Sequence, residues 1–428
     1  MQYFSTNRRS PAATFSQATL AGQPEDGGLF FPSEIPKFPA GLFGSGRDKT
    51  ETAFEVIRPY VGGTIPDDAL FAICRETVDF DFPLVKVTGQ ICSLELFHGP
   101  TFAFKDVGAR FMSRCLKHFA SDIRKKMVVL VATSGDTGGA VANGFFGVEN
   151  VDVVILYPKG RVSRIQELQL TTLGGNVTTL EVRGSFDDCQ RLAKRALGDA
   201  ELKDAIFLTS ANSINVARWL PQQFYYVFAI QQMGGEPVVF SVPSGNFGNI
   251  AAGLLAYSSG MPSVEFIAAC NANRVVAEFF STGSYDPRAA IATLSNAMDV
   301  GDPSNFVRVL ELFDGSVERL KEVMSVVSVS DAETEGAMRE VYDATGYVLD
   351  PHGAVAYRAL ADRLAGSPEQ AGIFLETAHP VKFDSVERIL GTYGGVPAAV
   401  AAMNGRQKVA TEIAVEYDIL KEILISKA

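Results

Sequence analysis

Two stretches, VVLVATSGDTGGAVANGF (128–145) and VVFSVPSGNFGNIAAGLLAY (238–257), share one design. In each, an apolar β-branched run enters Ser-Gly, then polar residues and another glycine, and a helix-forming segment follows. Near-continuous apolar runs suit strands buried on both faces of a parallel sheet. The glycines let the loop backbone approach a ligand closely. The helix start supplies unpaired N–H groups and the positive end of its dipole. In open α/β sheets such loops lie at the carboxyl ends of the strands, where ligands bind. Neither loop has the G-x-G-x-x-G spacing or a terminal Gly-Lys-Ser/Thr, which disfavours a dinucleotide or ATP. A smaller phosphorylated ligand fits better.

Working outward, the runs MVVLVAT (127–133), VDVVILYP (151–158), PVVFSVP (237–243), VEFIAAC (264–270) and GIFLETA (372–378) read as strands. Helical patterns lie between them. Val107, Phe111, Cys115 and Phe119, flanked by Met112 and Leu116, place one apolar stripe on a helix expected over 106–119. This alternation argues for an α/β architecture. The first 85 or so residues carry scattered Pro, Gly and Phe and no strong strand, so they read as a separate, mainly helical unit. From GGVPAAVAAMNGRQ to YDILKEILISKA the C-terminal end reads as a loop and a closing segment.

The bulk numbers narrow the classes. A chain of 428 residues, 47% apolar, predicts two or three domains with ample core. A net charge of −11 argues against a general nucleic-acid binder, and an anionic substrate would need a local positive site. Five scattered cysteines without a CxxC pair suggest neither a disulfide framework nor a zinc site, and fit a reducing cytosol. The four histidines are too far apart in sequence for a local metal motif. Arg8 and Arg9 are followed by no apolar signal core, and no run is long enough to span a bilayer. The expectation is a soluble, cytoplasmic protein.

One lysine stands out in HGPTFAFKDVGARF (98–111), where Lys105 follows Phe102, Ala103 and Phe104. Lysine is rarely buried unless it is paired or used for chemistry. Its plain reading is an ammonium snorkelling at a helix start. Lys105 with the SGDTG and SGNFG loops resembles the threonine synthase family, pyridoxal-phosphate enzymes of the tryptophan-synthase-β-like fold (fold type II). GGLFFP, ANSINVARW (211–219), TLSNAMDVGDPSN (293–305), DPHGAVAYRAL (350–360) and TAHPVKF (377–383) extend the likeness through most of the chain. The enlarged N-terminal unit is similar to the short fungal/enterobacterial branch, which implies a monomer.

The resemblance implies an N-terminal unit at 1–85, a large cofactor-binding domain at 86–124 and 226–428, and a small mobile substrate domain at 125–225. Each α/β domain would hold an open parallel or mixed sheet. It makes Lys105 the Schiff-base lysine for pyridoxal 5′-phosphate. A cation at a helix N-terminus faces the wrong end of the dipole, and the phenylalanines desolvate it. Both favour the neutral amine needed for attack on a carbonyl and for proton abstraction. Gly245, Asn246, Phe247, Gly248 and Asn249 would hold the cofactor phosphate, and Thr377 would meet the pyridine nitrogen. Thr133, Ser134 and Thr137 would bind the amino-acid carboxylate, and Asn212, Ser213 and Arg218 the substrate phosphate.

Asp136 is a special case, because many relatives of this fold carry asparagine there, against the cofactor's 3′ oxygen. An acid would repel a phenolate unless one partner is protonated or the carboxylate points away; alternatively Asp136 caps a helix beginning near Gly138. The plain alternative for Arg218 is a surface ion pair. Lys159, Arg161 and Arg164 read as a solvated strand end, Tyr225 and Tyr226 as core, and His352 and His379 as packing residues. The implied reaction is O-phospho-L-homoserine plus water to L-threonine plus phosphate. The rivals are a phospho-lyase releasing 2-oxobutyrate and a catalytically silent binding protein.

Overall fold

The computed structural model describes residues 1–121, 123–133, 135–367, 369–403 and 405–428. Its N-terminal unit pairs β1 (Tyr3–Ser5) with β2 (Phe30–Pro32) antiparallel and adds the helices α1 (Phe15–Ala21), α2 (Lys49–Val61) and α3 (Asp67–Thr77). The strand pair is a feature that the scattered apolar pattern of this region did not announce.

A six-stranded sheet contains β3 (Leu84–Thr88), β4 (Ile91–Glu95), β9 (Val239–Pro243), β10 (Glu265–Cys270), β11 (Met324–Ser328) and β12 (Gly372–Glu376). Its order is β11-β10-β9-β12-β4-β3, parallel except for the β3–β4 hairpin. A five-stranded, all-parallel sheet contains β5 (Met127–Ala132), β6 (Val151–Pro158), β7 (Val177–Val182), β8 (Phe207–Thr209) and β13 (Thr411–Ile413), in the order β13-β7-β6-β5-β8. The apolar runs of the sequence are its buried strands: every residue of β5 is buried.

Helix α4 (Lys105–Ala120) follows β4 of the large sheet and packs against α5 (Asp136–Phe145) of the small one. Its expected stripe of Val107, Phe111, Met112, Cys115, Leu116 and Phe119 is buried in the main core. Helix α6 (Arg164–Thr171) follows β6 and opens on a capping box between Ser163 and Gln166.

One boundary differs from the sequence reading. The closing segment was expected in the large domain, yet β13 pairs with β7, and Tyr417 and Leu420 of the last helix join the small sheet's core. A three-residue edge strand carries too little pattern to be assigned to either sheet from sequence. No helix among the described residues is long and apolar enough to cross a membrane.

Candidate active site

Lys105 is the first residue of α4, and the turn that delivers it is tied down on both sides. Phe104 N–H donates to the Thr377 carbonyl at 2.9 Å, and His379 N–H donates to the Phe102 carbonyl at 3.0 Å. Phe102 itself has φ +57°, a left-handed conformation unusual for a non-glycine. The Tyr225 hydroxyl donates to the Phe104 carbonyl. This turn therefore fixes Lys105 beside Thr377 at the end of β12.

The ammonium of Lys105 lies 3.7 Å from Asp136 Oδ2, with 18% of its side chain exposed. Burial pushes its proton affinity down and Asp136 opposes this, while Lys382 and Arg218 add to the lowering. Asp136 does not cap a helix: it is the first residue of α5, after Gly135, and its carboxylate turns to other partners. Lys382 Nζ sits 2.7 Å from its Oδ1, and Gln166 Nε2 donates to the same oxygen at 3.0 Å. Burial disfavours that charge, yet the Lys382 and then the Lys105 ammonium hold Asp136 well below the usual carboxylate range. It is an anion between two cations.

Lys382 has no exposed surface and also donates to the Thr101 carbonyl at 2.8 Å. Gln169, one turn after Gln166 on α6, donates to that same carbonyl at 2.9 Å. Neither Lys382 nor the two glutamines figured in the sequence reading. The signal for Lys382 was present, since Pro380-Val381-Lys382-Phe383 sets an ammonium in an apolar run much as 102–105 does.

In the SGDTG loop, the Thr133 hydroxyl accepts from the N–H groups of Gly135 and Gly138 and donates to the Gly135 carbonyl at 3.1 Å. Thr133 thus performs the capping first assigned to Asp136, and its hydroxyl proton is engaged inside its own loop. Thr137 is half-buried at the start of α5. Ser134 lies outside the described residues.

The SGNFG loop turns through Phe247, at φ +59°, into the helix Gly248–Ser258. Gly245 is pressed on the Met298 backbone so closely that a Cβ would stand 2.5 Å from Met298 Cα. Among the described residues, no backbone N–H from 245 to 249 donates to a protein acceptor. Asn249 accepts from the Tyr226 hydroxyl at 2.7 Å and leaves its own buried Nδ2 without a partner. Buried donors left open around a helix start make an anion cradle.

Arg218 is 3% exposed, and its Nη1 donates to the Ala211 carbonyl at 2.5 Å. Its Nε has no partner, no carboxylate pairs with it among the described residues, and burial pushes it down to about 10. The surface ion pair is therefore excluded. A Cβ on Gly108, one turn beyond Lys105, would come 2.6 Å from the Arg218 carbonyl oxygen, so the arginine segment lies against α4. Ser213 Oγ accepts from Asn246 Nδ2 at 2.9 Å, and Asn212 beside it is half-buried. Asn215 Nδ2 anchors the segment to the Thr19 carbonyl of α1 at 2.9 Å.

Comparison with known proteins agrees with this constellation. A model described as pyridoxal-phosphate dependent enzyme matches residues 78–374, and one described as threonine synthase N terminus matches residues 2–78. The threonine synthase of Serratia marcescens is 46% identical over 407 residues, 94% of each chain. The crystal structure of threonine synthase from Escherichia coli superposes with a TM-score of 0.92 at 42% identity, covering all of both chains. The chain belongs to the threonine synthase family.

It is accordingly a pyridoxal-phosphate-dependent lyase of fold type II. A pyridoxal-phosphate-bound threonine synthase from Brucella melitensis matches with a TM-score of 0.93 at 35% identity, covering 100% of this chain and 99% of that one. The residues present fit that cofactor: open N–H groups and the orphan Asn249 amide suit its phosphate, and Lys105 suits its carbonyl. Tyr225 and Tyr226 are buried as expected of a threonine synthase core, though both hydroxyls also brace the site. His352 packs and hydrogen-bonds as expected, with Nδ1 on Asp350 at 2.5 Å and Nε2 accepting from Ala297 N–H. Lys159 pairs with Glu412 at the rim.

Proposed function

We propose that the chain converts O-phospho-L-homoserine and water to L-threonine and phosphate, by γ-elimination followed by β-addition of water. The observation that carries this reading is Arg218, a buried guanidinium without a carboxylate, packed one turn from Lys105. A buried uncompensated cation is costly, and a phosphorylated amino acid would neutralise it.

In this reading residues 245–249 hold the cofactor phosphate, Thr377 faces the ring nitrogen and Lys105 takes its carbonyl. Pyridoxal phosphate, when bound, supplies an electron sink that makes carbon-bound protons acidic. Arg218, Asn212 and Ser213 hold the substrate phosphate until it leaves the γ-carbon. Thr137, at the start of α5, binds the substrate carboxylate, and Thr133 shapes the loop around it. Lys105 removes the α-proton as a neutral amine. A β-proton is given up as phosphate leaves, the γ-carbon takes up a proton, and Lys105 returns a proton to the α-carbon after water has added at the β-carbon. The five-stranded unit moves as a small domain over the six-stranded one and excludes water during elimination.

Likeness to the short fungal and enterobacterial branch supports a monomer. The five cysteines are free and four are buried, which supports a reducing, cytoplasmic setting. The test is product analysis on O-phospho-L-homoserine. Threonine and phosphate in equal amounts are expected, and 2-oxobutyrate without threonine would overturn the reading.

A further inference from the structure

Lys382 joins two bodies as well as two charges. Asp136 and Gln166 belong to the five-stranded unit, while Lys382, Thr101 and Lys105 belong to the six-stranded one. Lys382 Nζ reaches across to Asp136 Oδ1 at 2.7 Å, and Gln169 reaches back to the Thr101 carbonyl at 2.9 Å. Lys382 is wholly buried in this arrangement, and the Asp136 side chain is 4% exposed. If the two units separate, these groups return to water and the pair is broken.

The same carboxylate faces Lys105, so each ammonium competes for it. The charged groups acting on Lys105 are Asp136 from α5, Lys382 from the turn Pro380–Lys382, and Arg218 from the helix Val216–Trp219. Around Lys382 stand Asp136, Asp106 of α4 and His379. Asp106 is occupied by the Thr101 N–H at 2.9 Å and by the Thr101 hydroxyl, which leaves Asp136 as the carboxylate paired with Lys382.

We propose that Lys382 is a positioning residue that holds Asp136 as a fixed anion on closure and thereby withholds it from Lys105. With Oδ1 taken by Lys382, the Asp136 carboxylate stands 3.7 Å from Lys105 and does less to hold a proton on its amine, which favours the neutral form the chemistry needs. This explains how an acid is tolerated at position 136: its charge is balanced by Lys382 even after Lys105 has given up its own charge. The proposal rests on the preceding section only in taking Lys105 as the residue that receives the cofactor.

The test follows the pH dependence of covalent pyridoxal 5′-phosphate uptake by the full-length, cofactor-stripped chain, trapped with borohydride and located by peptide mass. Lys382→Met frees Asp136 to pair with Lys105 and should move the midpoint of the uptake rate to higher pH, by about one unit. Asp136→Asn leaves two cations facing Lys105 and should move it to lower pH. The double variant, which removes both charges, should fall between them. Hydrogen exchange in α6 should quicken in Lys382→Met, because the cross-unit pair is gone. Should Lys382→Met not fold, Asp136→Asn and the double variant retain the opposing predictions. Unmoved midpoints in the variants, or shifts in one common direction, would overturn the proposal and leave the function intact. Failure of the wild-type chain to take up cofactor on Lys105 would overturn the proposed function itself.

Discussion

Asn246 Nδ2 donates to Ser213 Oγ over 2.9 Å, and this bond couples the glycine loop at 245–249 to the segment that carries Arg218. The amide is held from its other end, since Asn246 Oδ1 accepts from Ser304 N–H at 2.6 Å. Asn246→Ala leaves the backbone cradle in place but removes its tether to Ser213. The KM for the phosphorylated substrate should rise roughly tenfold, while kcat falls much less. Steady-state kinetics with cofactor in excess check this, and an unchanged KM would count against the coupling.

Arg218 yields a prediction in which activity and stability part company. Arg218→Met removes the donor proposed for the substrate phosphate, and kcat/KM should drop by about 10²-fold or more. It also removes a buried cation without a counter-ion, so the melting temperature of the unliganded protein should hold or rise. Product inhibition by inorganic phosphate should weaken in the same variant. Arg218→Lys should not restore activity, because a point charge cannot replace a fork already fixed on the Ala211 carbonyl.

How far such details were legible beforehand depends on the kind of signal. Lys105 and the two loops each broke a local rule, a charge in an apolar run or glycines after a strand, and the sequence displays such breaks. Arg218 came only with the family resemblance. The long strands at 127–132 and 151–158 were legible for the same reason, being unbroken apolar runs. The partner of Asp136 was not legible. Lys382 is 246 positions away, a separation only the folded sheets can close, and the apolar run around it marks a buried lysine without naming its partner. Thr133 as the capping group was missed because its hydroxyl works five residues ahead, outside the usual capping spacing.

A second buried acid lies next to Thr377. Glu376 Oε1 accepts from Asp350 N–H at 2.6 Å, while Glu376 Oε2 and Asp350 Oδ2 are both buried and without partners. Burial, then the Asp350 charge, raise Glu376 well above the usual carboxylate range, so a proton held on Glu376 would satisfy its orphan oxygen beside Asp350. Glu376→Gln supplies an N–H donor in place of that proton. It should match wild type in acid and exceed it as pH rises above about 4.5, where the unfolded glutamate releases its proton and the buried one resists. Glu376→Ala should cost about 1–3 kcal/mol. Thermal melts across pH decide, and a Gln variant destabilised at every pH would exclude the buried proton.

His379 gives the acid limb. Burial lowers it from 6.5 to about 4, so it stays neutral in the fold where the unfolded chain is charged. Between those values the unfolded state binds more protons, and stability falls as pH falls through the window. In His379→Asn that part of the pH slope should flatten, which denaturant titrations at several pH values would show.

The short strand Thr411–Ile413 and the helix Tyr417–Ile425 complete the edge and outer face of the five-stranded sheet. During synthesis this sheet therefore waits for residues 411–425. While those residues are still inside the ribosome, β7 presents an open edge and the residues that meet Leu420 and Leu424 lack their cover. The unit that carries Asp136 and Gln166 is thus finished only by a segment made more than 200 residues after that sheet's preceding strand, β8 (Phe207–Thr209).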